Sequence, residues 1–246
     1  MMQHSDECAD DPPGEDVEAL PLSPKQRYAA KVLIRNWTTI PHVTHHDEAD
    51  VTALEARRKD LNARAASRKR SLLAFVIAAT ARALRAHPRF NAVLDEDGTK
   101  LLLHKAVHMG VAIEIPDGLV VGVIRHCNRK PVDDIGDELA RLSTKAREKG
   151  LTLDEMTGGT FTISSLGGIG GTGFTPIIHA PEVAILGVSS TRWTATRGQE
   201  DGIDWRLMLP LSLSYDHRVV NGADAARFTR TLAALLGDPA WLTERE

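Results

Sequence analysis

Residues 212–228 place a histidine where it can do chemistry. An alternating apolar run ends in Tyr215-Asp216-His217-Arg218, and helical spacing resumes after Asn221 and Gly222. His217 therefore falls on a strand-to-helix connection, the kind of segment that a rigid scaffold presents to a substrate. A neutral imidazole, with an ordinary pKa near ~6.5, can take a proton at cellular pH. An Asx residue followed by glycine also has the chemistry of a tight turn.

A second group of polar atoms lies upstream. Ser164-Ser165 ends an apolar run and leads into Leu166-Gly167-Gly168-Ile169-Gly170-Gly171-Thr172-Gly173. Hydroxyls at a strand end can donate to a developing oxyanion, and glycines let backbone and substrate approach closely. Gly168, Gly170 and Gly173 also have the G-x-G-x-x-G spacing of a dinucleotide site. That site needs a helix N-terminus next, whereas β-branched, proline-broken Phe174-Thr175-Pro176-Ile177-Ile178 follows. No Gly-x-Ser-x-Gly elbow occurs, which argues against a covalent serine hydrolase. His45-His46, beside Asp47, Glu48 and Asp50, reads as a polar strand rather than a metal site, because adjacent strand residues point to opposite faces. His179, ahead of Pro181, reads as structural. Arg57-Arg58-Lys59 and Arg68-Lys69-Arg70 read as exposed helix faces.

The elements that position these residues are legible from spacing. Ser23-Pro24 has the N-cap and N1 chemistry of a helix running through Tyr28, Val32 and Leu33. An extended piece begins at Pro41-His42-Val43-Thr44. Helices are predicted over 50–66 and over 71–87, the second stopped by Pro88. Apolar runs over 109–115 and 119–124 flank Pro116-Asp117-Gly118, a hairpin signal. Ile135, Leu139, Leu142 and Ala146 lie at helical spacing before Gly150. Strands are expected near 159–164, 183–189 and 206–214. A last helix carries Ala225, Phe228, Leu232 and Leu235 and ends at Gly237. Long helices mixed with hairpin-type strands predict a layered α/β domain with a mixed sheet and flanking helices, not a doubly wound sheet or barrel.

Composition sets the remaining limits. The chain has 246 residues, 42% hydrophobic and 26% charged, with net charge −3, ordinary for a globular protein that buries a full core. Aromatic residues make up only 4%, a poor supply for a base-stacking nucleic-acid surface. Residues 1–20 hold Asp6, Glu7, Asp10, Asp11, Glu15, Asp16 and Glu18 and no Lys or Arg. They read as an acidic disordered leader or linker stub, with 21–246 as one domain. Cys8 and Cys127 supply neither a disulfide framework nor zinc spacing. No secretory signal and no membrane-length apolar run is visible, so a cytoplasmic protein is expected.

Tyr215-Asp216-His217-Arg218-Val219-Val220-Asn221-Gly222 resembles the Asp-His-Arg-x-x-Asp/Asn-Gly signature of the acyltransferase components of 2-oxo acid dehydrogenase complexes. Pro21-Leu22-Ser23, the stretch from Arg35-Asn36-Trp37 through Pro41-His42-Val43-Thr44, and Gly159-Thr160-Phe161-Thr162-Ile163-Ser164 continue the likeness in family order. So do the stretch from Ala180-Pro181-Glu182 through Gly187-Val188 and Leu209-Pro210-Leu211-Ser212-Leu213-Ser214. Essentially all of 21–246 is covered. Asn221, together with the glycine segment, is most similar to the dihydrolipoyl acetyltransferases of bacterial pyruvate dehydrogenase.

The resemblance implies a chloramphenicol acetyltransferase-like fold, trimeric, with sites between neighbouring subunits, and leaves room for a larger core. It implies transfer of an acyl group, acetyl by the subgroup likeness, between dihydrolipoamide and coenzyme A. His217 would be the general base, Ser164 the oxyanion donor, and Asn221 would hold the turn in contact with Arg35. Asp216, Arg218 and Gly222 would support them, and Ser165, Gly167, Gly170, Gly171 and Thr172 would line the substrate channel. No Asp-Lys-Ala lipoyl hairpin and no peripheral-subunit-binding domain occurs in the chain. The lipoyl group would therefore come from a separate domain or protein, and 2-oxo acid dehydrogenase subunits would be partners. The charged ending, Thr243-Glu244-Arg245-Glu246, differs from the apolar ending typical of relatives that build larger cores. Two other readings remain open on the residues alone: a free-standing coenzyme A-dependent acyltransferase acting on a small hydroxyl or amine, and a core trimer of little activity that scaffolds partner enzymes.

Overall fold

Ser23 opens the first helix, α1 (Pro24–Thr39), by a capping box in which its hydroxyl accepts the Gln26 amide and Gln26 reaches back to the Ser23 amide. The computed structural model describes residues 18–65, 68–116, 118–198 and 202–243. Most of the acidic leader and the charged residues 244–246 lie outside the described residues. After α1 come β1 (His42–Asp50), α2 (Thr52–Arg64), α3 (Leu72–Ala86), and the short pair β2 (Ala92–Leu94) and β3 (Leu101–Leu103). The β4 (Met109–Ile115) and β5 (Gly118–Ile124) hairpin, α4 (Val132–Glu148) and α5 (Leu153–Met156) follow. The chain continues through β6 (Phe161–Ser165), β7 (Ala184–Val188), β8 (Arg192–Arg197), β9 (Ile203–Asp216) and α6 (Gly222–Gly237).

One mixed sheet organises these elements. Its order is β1-β9-β7-β6-β4-β5, with β8 added to β9. β4, β6 and β7 run parallel to one another, and the remaining pairings are antiparallel. β9 is the spine. Over its 14 residues it pairs with β1 on one edge, and with β7 and then β8 on the other.

The two faces of the sheet differ. Phe161, Ile163, Leu186 and Leu213 join the main core with Phe75, Leu84, Leu142 and Phe228. Phe90 stacks on Phe228 with centroids 4.6 Å apart. Burying one such aromatic side chain contributes on the order of 1.5–3 kcal/mol. Alternation puts the neighbouring residues on the opposite face. In register, that face carries the row Ser164–Gly187–Ser212–His46 and, two residues away, Thr162–Ile185–Ser214–Thr44. There Ile185 packs in a separate small cluster with Ile40 and Ile178. Thr44 and Ser214 share a hydroxyl hydrogen bond of 2.8 Å, and His46 Nδ1 lies 3.0 Å from Ser212 Oγ.

The elements expected from spacing are present, with four differences, one being the short helix α5, which was not anticipated. β9 begins at Ile203 rather than near 206, and β8 was not anticipated. β2 and β3 form a second small sheet, also unanticipated. No helix among the described residues is long and apolar enough to cross a membrane.

Candidate active site

β9 delivers its last residue, Asp216, into a buried position, 2% exposed. The Asp216 amide donates to the Val183 carbonyl at 2.8 Å. Its carboxylate accepts from the Arg218 amide at 3.0 Å and from Arg218 Nη2 at 2.6 Å. That ion pair raises the Arg218 pKa, chiefly through the hydrogen bond to Asp216. The Asp216 carbonyl accepts the Val219 and Val220 amides, which closes the turn.

His217 sits at the head of this turn. Its backbone N–H donates to the Pro41 carbonyl at 3.0 Å, and its ring lies 5.8 Å from that of Tyr215. The side chain is exposed. Its backbone is thus tied at both neighbours while the imidazole faces outward.

Asn221 and Gly222 follow the turn and open the next helix. Asn221 is the N-cap of α6, its side-chain oxygen accepting the Asp224 amide at 2.9 Å. Gly222 is the first residue of that helix, and a Cβ there would meet only the Tyr215 hydroxyl at an ordinary 3.7 Å. The Asn-Gly pair therefore starts a helix, and the tight turn lies at 216–219. No hydrogen bond joins Asn221 to Arg35 among the described residues. Arg35 is exposed on α1, its carbonyl accepting the Thr38 and Thr39 hydroxyls.

Ser164 is half-buried near the end of β6. The glycine segment that follows opens no helix, in keeping with the rejection of a dinucleotide site. Leu166 N–H donates to the Val188 carbonyl, and Gly170 N–H to the Leu166 carbonyl. Ser165 is turned to this local work, its Oγ accepting the Gly167 amide at 3.4 Å. Gly170 and Gly171 have φ of 149° and 86°, a backbone that favours glycine. Beyond them Phe174 lies over Gly187, where a Cβ would come within 2.7 Å of the ring. Thr172, Gly173 and Phe174 border a cavity of about 410 Å³ shared with His46, Asp47 and Glu48. A cavity of about 880 Å³ lies elsewhere, among Arg57, Arg70, Phe75, Arg129 and Trp241, and neither His217 nor Ser164 lines it.

Within one chain Ser164 and His217 are far apart. Ser164 aligns through Gly187 with Ser212, five residues before His217 and two strands away. Ideal sheet spacings make that roughly 20 Å. A base and an oxyanion donor must both reach one reacting centre at about 3 Å. The two residues of one chain therefore cannot serve the same substrate.

Sequence reasoning missed several side chains that hold this region. His42 Nε2 accepts the Ile178 amide at 3.0 Å, with Nδ1 2.8 Å from the Ile40 carbonyl. Buried Asn36 donates to the Ile178 carbonyl at 2.9 Å. Glu182 is 2% exposed and accepts the Thr162 hydroxyl at 2.9 Å. Desolvation raises its pKa to about 8, the Thr162 hydrogen bond opposing. Its one sequence signal was a lone acid opening the apolar run 183–188. His179, near it, has its pKa lowered by burial. Among the described residues no cluster of three or more His, Cys, Asp or Glu could hold a metal ion. Burial pushes the Cys127 thiol up to about 12, which leaves it unreactive.

The model for the 2-oxoacid dehydrogenases acyltransferase catalytic domain matches residues 14–243. The pyruvate dehydrogenase acetyltransferase component of Haemophilus influenzae is 48% identical over 228 residues, covering 91% of this chain and 40% of that protein. The chain thus spans well under half the length of this curated relative. A solved structure of Azotobacter vinelandii dihydrolipoamide acetyltransferase matches with TM-score 0.89 and 45% identity, over 93% of this chain and 95% of that one. That structure was used to study a serine, a histidine and an asparagine in the catalytic mechanism. The cubic core of a pyruvate dehydrogenase multienzyme complex matches with TM-score 0.89 and 46% identity, over 93% and 95% of the two chains. Chloramphenicol acetyltransferase, at 17% identity and TM-score 0.56 over 83% of this chain and 94% of its own, shares the fold.

Two outcomes follow from these contacts. Asn221→Ala should cost about 1 kcal/mol by uncapping α6, while Asn221→Asp keeps the cap; urea unfolding measures both. Glu182 binds its proton more tightly folded than unfolded, so its neutral form stabilises fully below the ordinary pKa of 4.5 and this contribution is lost as pH rises to about 8. The melting temperature of the wild type should accordingly fall relative to Glu182→Gln across that window.

Proposed function

The chain belongs to the family of 2-oxo acid dehydrogenase acyltransferase catalytic domains, and from that premise we propose that it moves an acetyl group between dihydrolipoamide and coenzyme A. Its site is formed by two copies of the chain, one giving His217 and the other Ser164. The observation that carries this reading is the separation of the two residues within one chain, together with an imidazole left facing outward on a rigid turn. A trimer supplies the partner copy, and the cubic core of the similar complex supports a larger assembly. Coenzyme A and the lipoyl group, carried on a separate domain or protein, enter as substrates, with 2-oxo acid dehydrogenase subunits as partners.

The reaction exchanges one thioester for another. A thiol with pKa near ~8.5 is mostly protonated at neutral pH, so direct attack is slow. The His217 imidazole removes the proton of the coenzyme A thiol as sulfur bonds to the acetyl carbonyl carbon. The carbonyl electrons move to oxygen, and Ser164 Oγ donates to the oxyanion of the tetrahedral intermediate. Collapse breaks the bond to the dihydrolipoyl sulfur, which takes the proton back from the imidazolium. Asp216 and Arg218 act by holding the turn. Asn221 contributes by starting α6 immediately behind it. Ser164, rather than Ser165, is the donor because it stands on the polar face of the sheet in register with Ser212 and His46, whereas Ser165 alternates to the other face.

Ser164→Ala should lower kcat by about 10²–10³ with little change in KM, the usual cost of one oxyanion donor. His217→Ala should lose at least as much. Steady-state transfer from acetyl-coenzyme A to free dihydrolipoamide measures both; near wild-type rates for either variant would remove that residue from the mechanism. A rate with dihydrolipoamide no higher than with small hydroxyl or amine acceptors would point to the free-standing acyltransferase instead.

A further inference from the structure

Glu182 is a buried acid that the transfer chemistry does not use. It is 2% exposed, its Oε1 accepts the Thr162 hydroxyl at 2.9 Å, and its Oε2 has no hydrogen-bond partner among the described residues. A group of this kind costs stability unless it does something an apolar side chain cannot. The chain also makes room for it. A Cβ at Gly159 would lie 2.9 Å from Glu182 Oε1, and one at Gly110 would lie 2.4 Å from Thr162 Oγ1. Two glycines thus clear the space around a single side-chain hydrogen bond.

The position of this bond matters more than its strength. Thr162 stands two residues before Ser164 on the same face of β6. On the other side, Glu182 is bonded in the chain to Val183, whose carbonyl accepts the Asp216 amide at 2.8 Å. The path from Ser164 to the His217 turn therefore runs through Thr162, Glu182, Val183 and Asp216, with hydrogen bonds at both ends. Glu182 also donates its own amide to His179 at 3.1 Å. His179 is the one other titratable side chain lining the cavity of about 210 Å³ that borders Glu182.

We propose that Glu182 is a positioning residue, which through Thr162 and Val183 sets the Ser164 strand against the His217 turn and so fixes the spacing of the two half-sites each chain contributes. This deepens the acetyltransfer reading and rests on it. Because the half-sites serve different substrate molecules, an error in their spacing misplaces the donor or the base at every interface of the assembly. Burial keeps the acid in its neutral form at neutral pH, as its raised pKa requires. The isosteric, neutral Gln can therefore take its place, whereas Leu fills the space without the hydrogen bond.

Four variants of the assembled protein test this: Glu182→Gln, Glu182→Leu, Thr162→Val and the Leu/Val double. Glu182→Leu and Thr162→Val should each lower kcat about ten-fold or more with KM for coenzyme A little changed, as expected when a reacting group is misplaced. Glu182→Gln should restore kcat, and the double variant should be no worse than the worse single. Amide hydrogen exchange gives a readout independent of turnover: residues 161–165 and 215–218 should both exchange faster in the Leu and Val variants and not in Gln. Unchanged kcat in both single variants, multiplying losses in the double, or faster exchange in one segment alone would overturn the inference. Absence of transfer by the wild type itself, with the exchange pattern as expected, would instead sink the acetyltransfer reading and leave the coupling standing.

Discussion

The site depends on taking the Asp216 carboxylate out of water. A buried charge is costly unless its lone pairs are filled and an opposite charge is near. Arg218 meets both needs with its guanidinium and its own amide. The chain can satisfy Asp216 only by turning sharply, and the Val219 and Val220 amides close that turn on the Asp216 carbonyl. His217 is caught between Asp216 and Arg218, its amide held by Pro41. Hydrogen bonds hold the backbone at His217 and on both sides of it, so the imidazole starts from a fixed origin, the preorganisation that a general base would need.

The second constraint is the unequal dressing of the sheet. Helices α3, α4 and α6 and the main core cover one face, and binary patterning in β6, β7 and β9 follows from that burial. The opposite face carries serines, threonines, His46 and a glycine, in register across four strands. Segment 174–183 covers part of it, anchored by Asn36 and His42 on Ile178 and by the Phe174 ring over Gly187. Ser164 belongs to this polar face and His217 to the end of β9. The same register that makes the sheet coherent keeps the two apart within one chain.

The local features were legible in the sequence because local rules create them. Ser23 as a cap, Pro88 as a stop, the 109–124 hairpin and the strand-to-helix placement of His217 all follow from neighbours within a few residues. The strand β8, whose Arg192–Arg197 segment alternates half-buried and exposed without an apolar face, exists because β9 is long enough to pair with it. Such pairing is a long-range choice that periodicity does not carry. Asn221-Gly222 has turn chemistry and cap chemistry alike, and the buried Asp216 decided between them. Glu182 was invisible for the same reason: an acid becomes informative only when burial and its Thr162 partner are known.

The central claim is that one active site takes His217 from one copy and Ser164 from another. Subunit mixing tests it most directly. His217→Ala and Ser164→Ala chains, each inactive alone, are unfolded together, refolded in equal amounts and assayed for acetyl transfer between coenzyme A and dihydrolipoamide. Random assembly into closed rings should rebuild intact His217–Ser164 pairs at about a quarter of the interfaces, restoring that fraction of wild-type activity. Mixed assemblies as inactive as either parent would contradict the shared site.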